Sequence, residues 1–218
     1  ANDAEGIRRG IFFLEDELLR ADGPFLRVGE TQRSPFIKTR ISRCFFGPIK
    51  RPPMNRDELL DAVDYYPNEY LNRLAHDGVN ALWMTIEFKD LCKTSLLPNA
   101  SLDRGRRLEK LRKTVAKCRR YGIDVFLFTI EPYFMTAGNP LLLAHPELGG
   151  ATYAQSARYF CPFSDAARTY LREALYSIFS EVPELGGLIN ISYGEAPTTC
   201  LSSANVDWRI DCPTCANK

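Results

Sequence analysis

Gly78-Val-Asn-Ala-Leu-Trp-Met-Thr-Ile-Glu87 and Gly122-Ile-Asp-Val-Phe-Leu-Phe-Thr-Ile-Glu131 match position for position in character, and both close on Thr-Ile-Glu. Each is an apolar run opened by a glycine, and each follows a stretch of helical periodicity. Pro67 to His76 carries Tyr70, Leu71 and Leu74 on one face before Gly78. Ser101 to Tyr121 carries Leu108, Leu111, Val115 and Cys118 before Gly122. A third unit follows the same plan. Ser164 is an N-cap for a helix to Ser180 with a Leu171, Leu175, Ile178 and Phe179 stripe, and Gly186-Gly187 precede the run Leu188 to Ile191. An earlier strand is expected over Ile41 to Ile49. Helix, glycine, buried strand, repeated after an initial strand, predicts an α/β fold. The strands should be parallel, in sequence order, with helices outside. The runs are apolar on both parities, which predicts strands covered on both faces.

The carboxyl ends of the strands carry the chemistry in parallel α/β folds. Three successive strand runs end in a glutamate: Glu87, Glu131 and, in Tyr193-Gly194-Glu195, Glu195. Adjacent strands lie ~4.8 Å apart, so these carboxylates are expected within roughly 5–10 Å of one another. Hydrolysis of a glycosidic bond needs one carboxylic acid to protonate the leaving oxygen. It also needs a second group, roughly 5–9.5 Å away, to attack or to activate water. Taken singly, each glutamate is better explained as the start of a solvated loop; it is their repetition at the same offset that points to a site. A hard-cation site is the competing use of three together. Aromatic residues are expected at the same edge, namely Phe88, Tyr133, Phe134, Tyr193 and Trp208. They suit the apolar faces of a sugar, or ordinary loop packing.

The chain has 218 residues, 28 basic and 27 acidic, for a net charge of +1. This balance argues against a nucleic-acid partner, and no apolar run approaches the roughly 20 residues that span a bilayer. With 45% hydrophobic residues the chain can bury a sizeable core. Gly6 to Arg20 reads as an amphipathic lead-in helix, and residues 1–40 as that helix and a linker. Residues 41–218 read as four βα units with an irregular, cysteine-containing end.

Seven cysteines, an odd number, exclude complete internal pairing. Cys44, Cys92 and Cys118 read as small buried apolar residues. Cys212-Pro-Thr-Cys215 has the spacing of two corners of a tetrahedral zinc site. Cys200 follows the Glu195 loop and Cys161 precedes the third helix on the same side of the sheet, so all four are expected to meet. Three outcomes stay open: a structural zinc, a disulfide, or unlinked thiols. No other cofactor is called for.

At these residues the chain resembles the family 20 glycoside hydrolases, the β-N-acetylhexosaminidase-related enzymes. Glu5-Gly-Ile-Arg-Arg-Gly-Ile-Phe-Phe-Leu14 looks like the helix that precedes the barrel in that family. Arg40-Ile-Ser-Arg43 looks like its first-strand arginine, so the resemblance implies that Arg43 holds sugar hydroxyls. Glu195 matches the place of the general acid. His145-Pro-Glu-Leu148 and Phe160-Cys161-Pro162 have counterparts between the third and fourth strands. The resemblance implies a TIM-type (β/α)8 barrel, a glycan substrate and a hydrolase; of the edge aromatics, Tyr193 and Trp208 are the ones expected to contact that substrate. The family places an aspartate immediately before its acid, where this chain has Gly194. The second carboxylate would then be Glu131 or Glu87. A full barrel takes roughly 250 residues. Four strand runs are legible here, so half a barrel is expected, a fragment whose other half comes from further chain or a second copy. The alternative is a non-catalytic glycan-binding or structural domain on a degenerate barrel.

Overall fold

The computed structural model describes residues 3–43, 56–99, 101–133, 135–153, 157–192, 198–200 and 211–216. Four strands form one sheet: β1 (Ile41–Arg43), β2 (Ala81–Thr85), β3 (Asp124–Thr129) and β6 (Gly187–Asn190). They are parallel and lie in the order β1-β2-β3-β6. Helices α2 (Asn68–His76), α4 (Arg104–Arg120) and α6 (Asp165–Glu181) make the crossovers, with a single turn, α3 (Phe88–Leu91), after β2. The expected glycine stops are in place. Gly78 and Gly122 take φ of 83° and 66°, a left-handed conformation that costs other residues energy. Ser164 caps α6, its hydroxyl accepting from the Ala167 N–H at 3.3 Å. Of the strand expected over 41–49, Ile41–Arg43 is observed, and residues 44–55, with Cys44, lie outside the described residues.

The alternation within each strand decides where the core sits. Leu82 and Met84 of β2, and Val125 and Leu127 of β3, face the helices. They pack with Leu71 and Ala75 of α2, Leu108, Leu111, Val115 and Cys118 of α4, and Ala174 and Ile178 of α6. The opposite parity is not covered to the same extent, contrary to the expectation of two buried faces. Trp83, Phe126, Phe128 and Ile189 are only half-buried. Trp83 and Phe128 meet edge to face at 4.0 Å. Gly186 gives Phe126 its space, since a Cβ there would stand 2.7 Å from the ring.

Between β3 and α6 the chain adds an antiparallel hairpin, β4 (Gly149–Tyr153) with β5 (Ala157–Phe160), reached through α5 (Pro140–Ala144) and a 3-10 turn, Pro146–Leu148. The lead-in helix α1 (Ala4–Arg20) docks at the amino edge of the sheet. Arg9 donates to the carbonyls of Ala75 and Val79, and the Phe12 ring lies 4.3 Å from that of His76.

Candidate active site at the carboxyl edge

The register separates two glutamates that look equivalent. β2 and β3 pair Ala81 with Asp124 and Thr85 with Phe128. The Thr-Ile-Glu of β3 is therefore displaced by one residue from that of β2, and a displacement of one exchanges the faces. Thr85 is exposed and Thr129 fully buried. Glu87 is half-exposed and its carboxylate pairs with the Lys89 ammonium at 2.7 Å. Glu131 is 9% exposed. The expectation of matching places for the two is corrected accordingly: they share the edge but not the environment.

Glu131 sits at the centre of a hydrogen-bonded junction. One carboxylate oxygen accepts from the Phe88 N–H at 3.0 Å, at the start of α3, and the other from the Tyr133 N–H at 3.1 Å. Its own backbone is held by the Asn190 side chain at the end of β6. The Glu131 N–H donates to Asn190 Oδ1 at 3.0 Å, and Asn190 Nδ2 donates to the Glu131 carbonyl at 2.8 Å. Burial pushes the Glu131 carboxyl up to about 6, against the two backbone donors that pull it down, and Glu87 nearby adds to the rise. One residue thus ties together the chain after β2, β3 and β6.

A cavity of about 330 Å³ opens beside this junction. Its polar lining is Glu131, Asn190, Ser192 and Thr199, and Phe160, Leu171 and Leu188 contribute apolar walls. A polar hollow at the amino edge, lined by Glu5, Asn80, Arg119 and Asp124, is remote from these groups, and its Glu5 is already paired with Arg8 and Arg9.

Arg43 ends the described part of β1 and lies 5.2 Å over the Trp83 ring, a cation–π contact on the half-open face of the sheet. Trp83 and Phe128 are the aromatics displayed there, and their alternation with Leu82, Met84 and Leu127 was the available signal for that face. Phe88 stands at the expected edge and lines the cavity beside Glu131, but is only 2% exposed and packs into the main core. The α3 turn that follows β2 folds its ring against the core. Tyr133 is half-exposed. Phe134, Tyr193, Glu195 and Trp208 lie outside the described residues. The chain on either side of Glu195 is anchored: the Thr198 hydroxyl donates to the Ser192 carbonyl at 2.5 Å, and the Phe160 N–H donates to the Thr198 carbonyl at 3.1 Å.

The four expected cysteines do meet. The sulfurs of Cys161, Cys200, Cys212 and Cys215 all lie within 4.8 Å of one another. None is in a disulfide, and neither is Cys92 or Cys118. Cys161 follows β5, Cys200 follows the Glu195 segment, and Cys212 and Cys215 bracket a tight turn in which the N–H groups of Cys215 and Ala216 donate to the Cys212 carbonyl. This donor set can hold a metal ion.

The fold has counterparts among solved structures. The chain is similar in structure to a GH138 enzyme targeting pectin rhamnogalacturonan II, with a TM-score of 0.57 and 14% identity over 95% of this chain and 24% of that one. It is also similar to the beta-N-acetylhexosaminidase from Bacteroides fragilis NCTC 9343, with a TM-score of 0.48 and 16% identity over 95% of this chain and 43% of that one. The chain thus spans about a quarter of the first protein and under half of the second. No protein-family model matches it, and no curated protein matches it in sequence.

Proposed function

We propose that this chain is the first four βα units of a (β/α)8 glycoside hydrolase barrel, acting on a glycan with Glu195 as general acid. The observation that carries the reading is the parallel sheet in sequence order, which brings Glu87 after β2, Glu131 after β3 and the end of β6 to one edge; in the sequence Glu195 follows β6 by five residues. The displacement of one residue between the two Thr-Ile-Glu motifs supports a barrel. Eight strands with a shear of eight are offset by about one residue per strand, so equivalent residues on neighbours face opposite ways. The half-open face with Trp83, Phe126 and Phe128 would be the barrel interior. The remaining strands come from further chain or from a second copy.

The Glu195 proton passes to the leaving oxygen as the glycosidic C–O bond breaks. The second carboxylate attacks the anomeric carbon or takes a proton from the attacking water. Of the two candidates, Glu87 has the freer oxygens, because both oxygens of Glu131 accept backbone N–H groups. Glu131 holds the edge together instead. Arg43 and Trp83 offer a charged donor and a ring face to sugar hydroxyls and C–H groups, and Tyr193 and Trp208 complete the proposed substrate contacts.

The test is turnover of a panel of aryl glycosides by the intact protein, with and without Glu195→Gln. Hydrolysis of at least one glycoside, lost in Glu195→Gln, is the expected result. Equal turnover by the variant removes Glu195 from the mechanism. Absence of turnover across the panel, with retention on immobilised glycans, indicates a binding module in place of an enzyme.

A further inference from the structure

We propose that Cys161, Cys200, Cys212 and Cys215 bind one structural Zn²⁺ as four thiolates, joining the β4–β5 hairpin, the chain that follows β6 and the Cys212–Cys215 turn. The sulfur spacing carries the proposal. Cys161 Sγ lies 3.7 Å from Cys212 Sγ and 3.7 Å from Cys215 Sγ. Four thiolates at ~2.3 Å from a tetrahedral zinc stand about 3.8 Å apart, whereas a disulfide brings two sulfurs to about 2.05 Å. Two of the spacings thus match that zinc–thiolate value, all four sulfurs lie within 4.8 Å of one another, and none is in a disulfide.

Three further features belong to a built site. Gly150 leaves room for the sulfurs: a Cβ there would stand 2.0 Å from Cys200 Sγ and 3.1 Å from the Cys161 Cβ. The neighbouring Ala151 N–H donates to Cys200 Sγ at 3.2 Å, which orients the sulfur and offsets thiolate charge. Asp211, just before the turn, accepts from the Thr152 N–H at 2.9 Å and fastens the turn to β4. Among the described residues, the buried cluster around the sulfurs is Ala151, Tyr159, Cys161, Cys200 and Cys212, three of them proposed ligands. A metal held by ligands from three separate chain segments joins them, and its binding free energy becomes folding free energy. A redox pair needs only two sulfurs, and here two more converge on the same point.

The intact protein, purified without chelators, should contain one zinc per chain. Cobalt in place of zinc should give the visible absorption of a tetrahedral ion and thiolate charge transfer in the near ultraviolet. Chelation should lower the melting temperature and expose these four thiols to titration. Cys161→Ser should weaken zinc binding by more than about tenfold, and Gly150→Ala by about 10–100-fold through the displaced Cys200 sulfur. If the serine variant does not fold, the cobalt spectrum of the wild-type protein still decides. The proposal is overturned by an intact mass reduced by the hydrogens of a disulfide. It is equally overturned by metal-free protein with four titratable thiols and a melting temperature indifferent to chelator. None of these readouts involves turnover, so they stand apart from the fate of the glycosidase reading.

Discussion

Glu131→Ala is expected to lower the unfolding free energy by about 3 kcal/mol, whatever it does to turnover. The substitution removes the carboxylate that accepts from the buried Phe88 N–H and from the part-buried Tyr133 N–H, the first being the costlier loss. An orphaned buried donor costs about 1–3 kcal/mol, and more where the lost acceptor was charged. For a chain of this length the melting temperature should fall by roughly 6–12 °C. Glu131→Gln separates shape from chemistry. Its carbonyl can accept from one of the two N–H groups, but its amide nitrogen then faces the other as a second donor. A loss of about 1–3 kcal/mol is therefore expected for glutamine too. Urea denaturation checks both variants. Unchanged stability in Glu131→Ala would show that the junction does not hold the carboxyl edge.

The second large effect concerns a group remote from the site. Glu58 is 3% exposed among the core residues. Burial pushes its carboxyl up to about 7, which Tyr66 and Lys110 relieve only in part and Asp57 increases. Lys110 is already engaged by the carbonyls of Asp61 and Val63. The folded chain therefore holds a proton on Glu58 that the unfolded chain releases near pH 4.5. Stability from this group is greatest below that pH and is lost as the pH rises toward 7, by about 3 kcal/mol at 1.36 kcal/mol per pH unit. Glu131 adds a smaller loss of the same sign between about pH 4.5 and 6. Glu58→Gln, which cannot ionise, should gain about 3 kcal/mol over the wild type at about pH 8 and nearly nothing at about pH 4.5. Denaturant midpoints across that range measure it. A pH-independent difference would mean that Glu58 is not buried as a carboxyl group.

Strand order, crossover helices and glycine stops were legible because each rests on local periodicity and on the handedness of parallel units. The roles of Glu87 and Glu131 were not. Motif similarity aligns the two residues, but the register between β2 and β3 is set by packing across the sheet, and one residue of displacement buries one and exposes the other. The β4–β5 hairpin was missed because its strands are short and lie next to the Pro140 and Pro146 turns, where a loop is the simpler reading. Meeting of the cysteines was legible from topology alone. How close the sulfurs come was not, since it depends on Gly150 and on the Cys212–Cys215 turn. Asn190 carried no sequence signal beyond its place at a strand end, yet it joins β6 to Glu131.

The measurement that tests the central claim most directly is the dependence of kcat/KM on leaving-group acidity, compared between the intact protein and Glu195→Gln. A general acid matters in proportion to the basicity of the oxygen it protonates. The variant should lose about 10²–10⁴-fold on glycosides with poorly acidic leaving groups and little on strongly acidic phenols. A deficit of the same size across the whole series would contradict a general-acid role for Glu195.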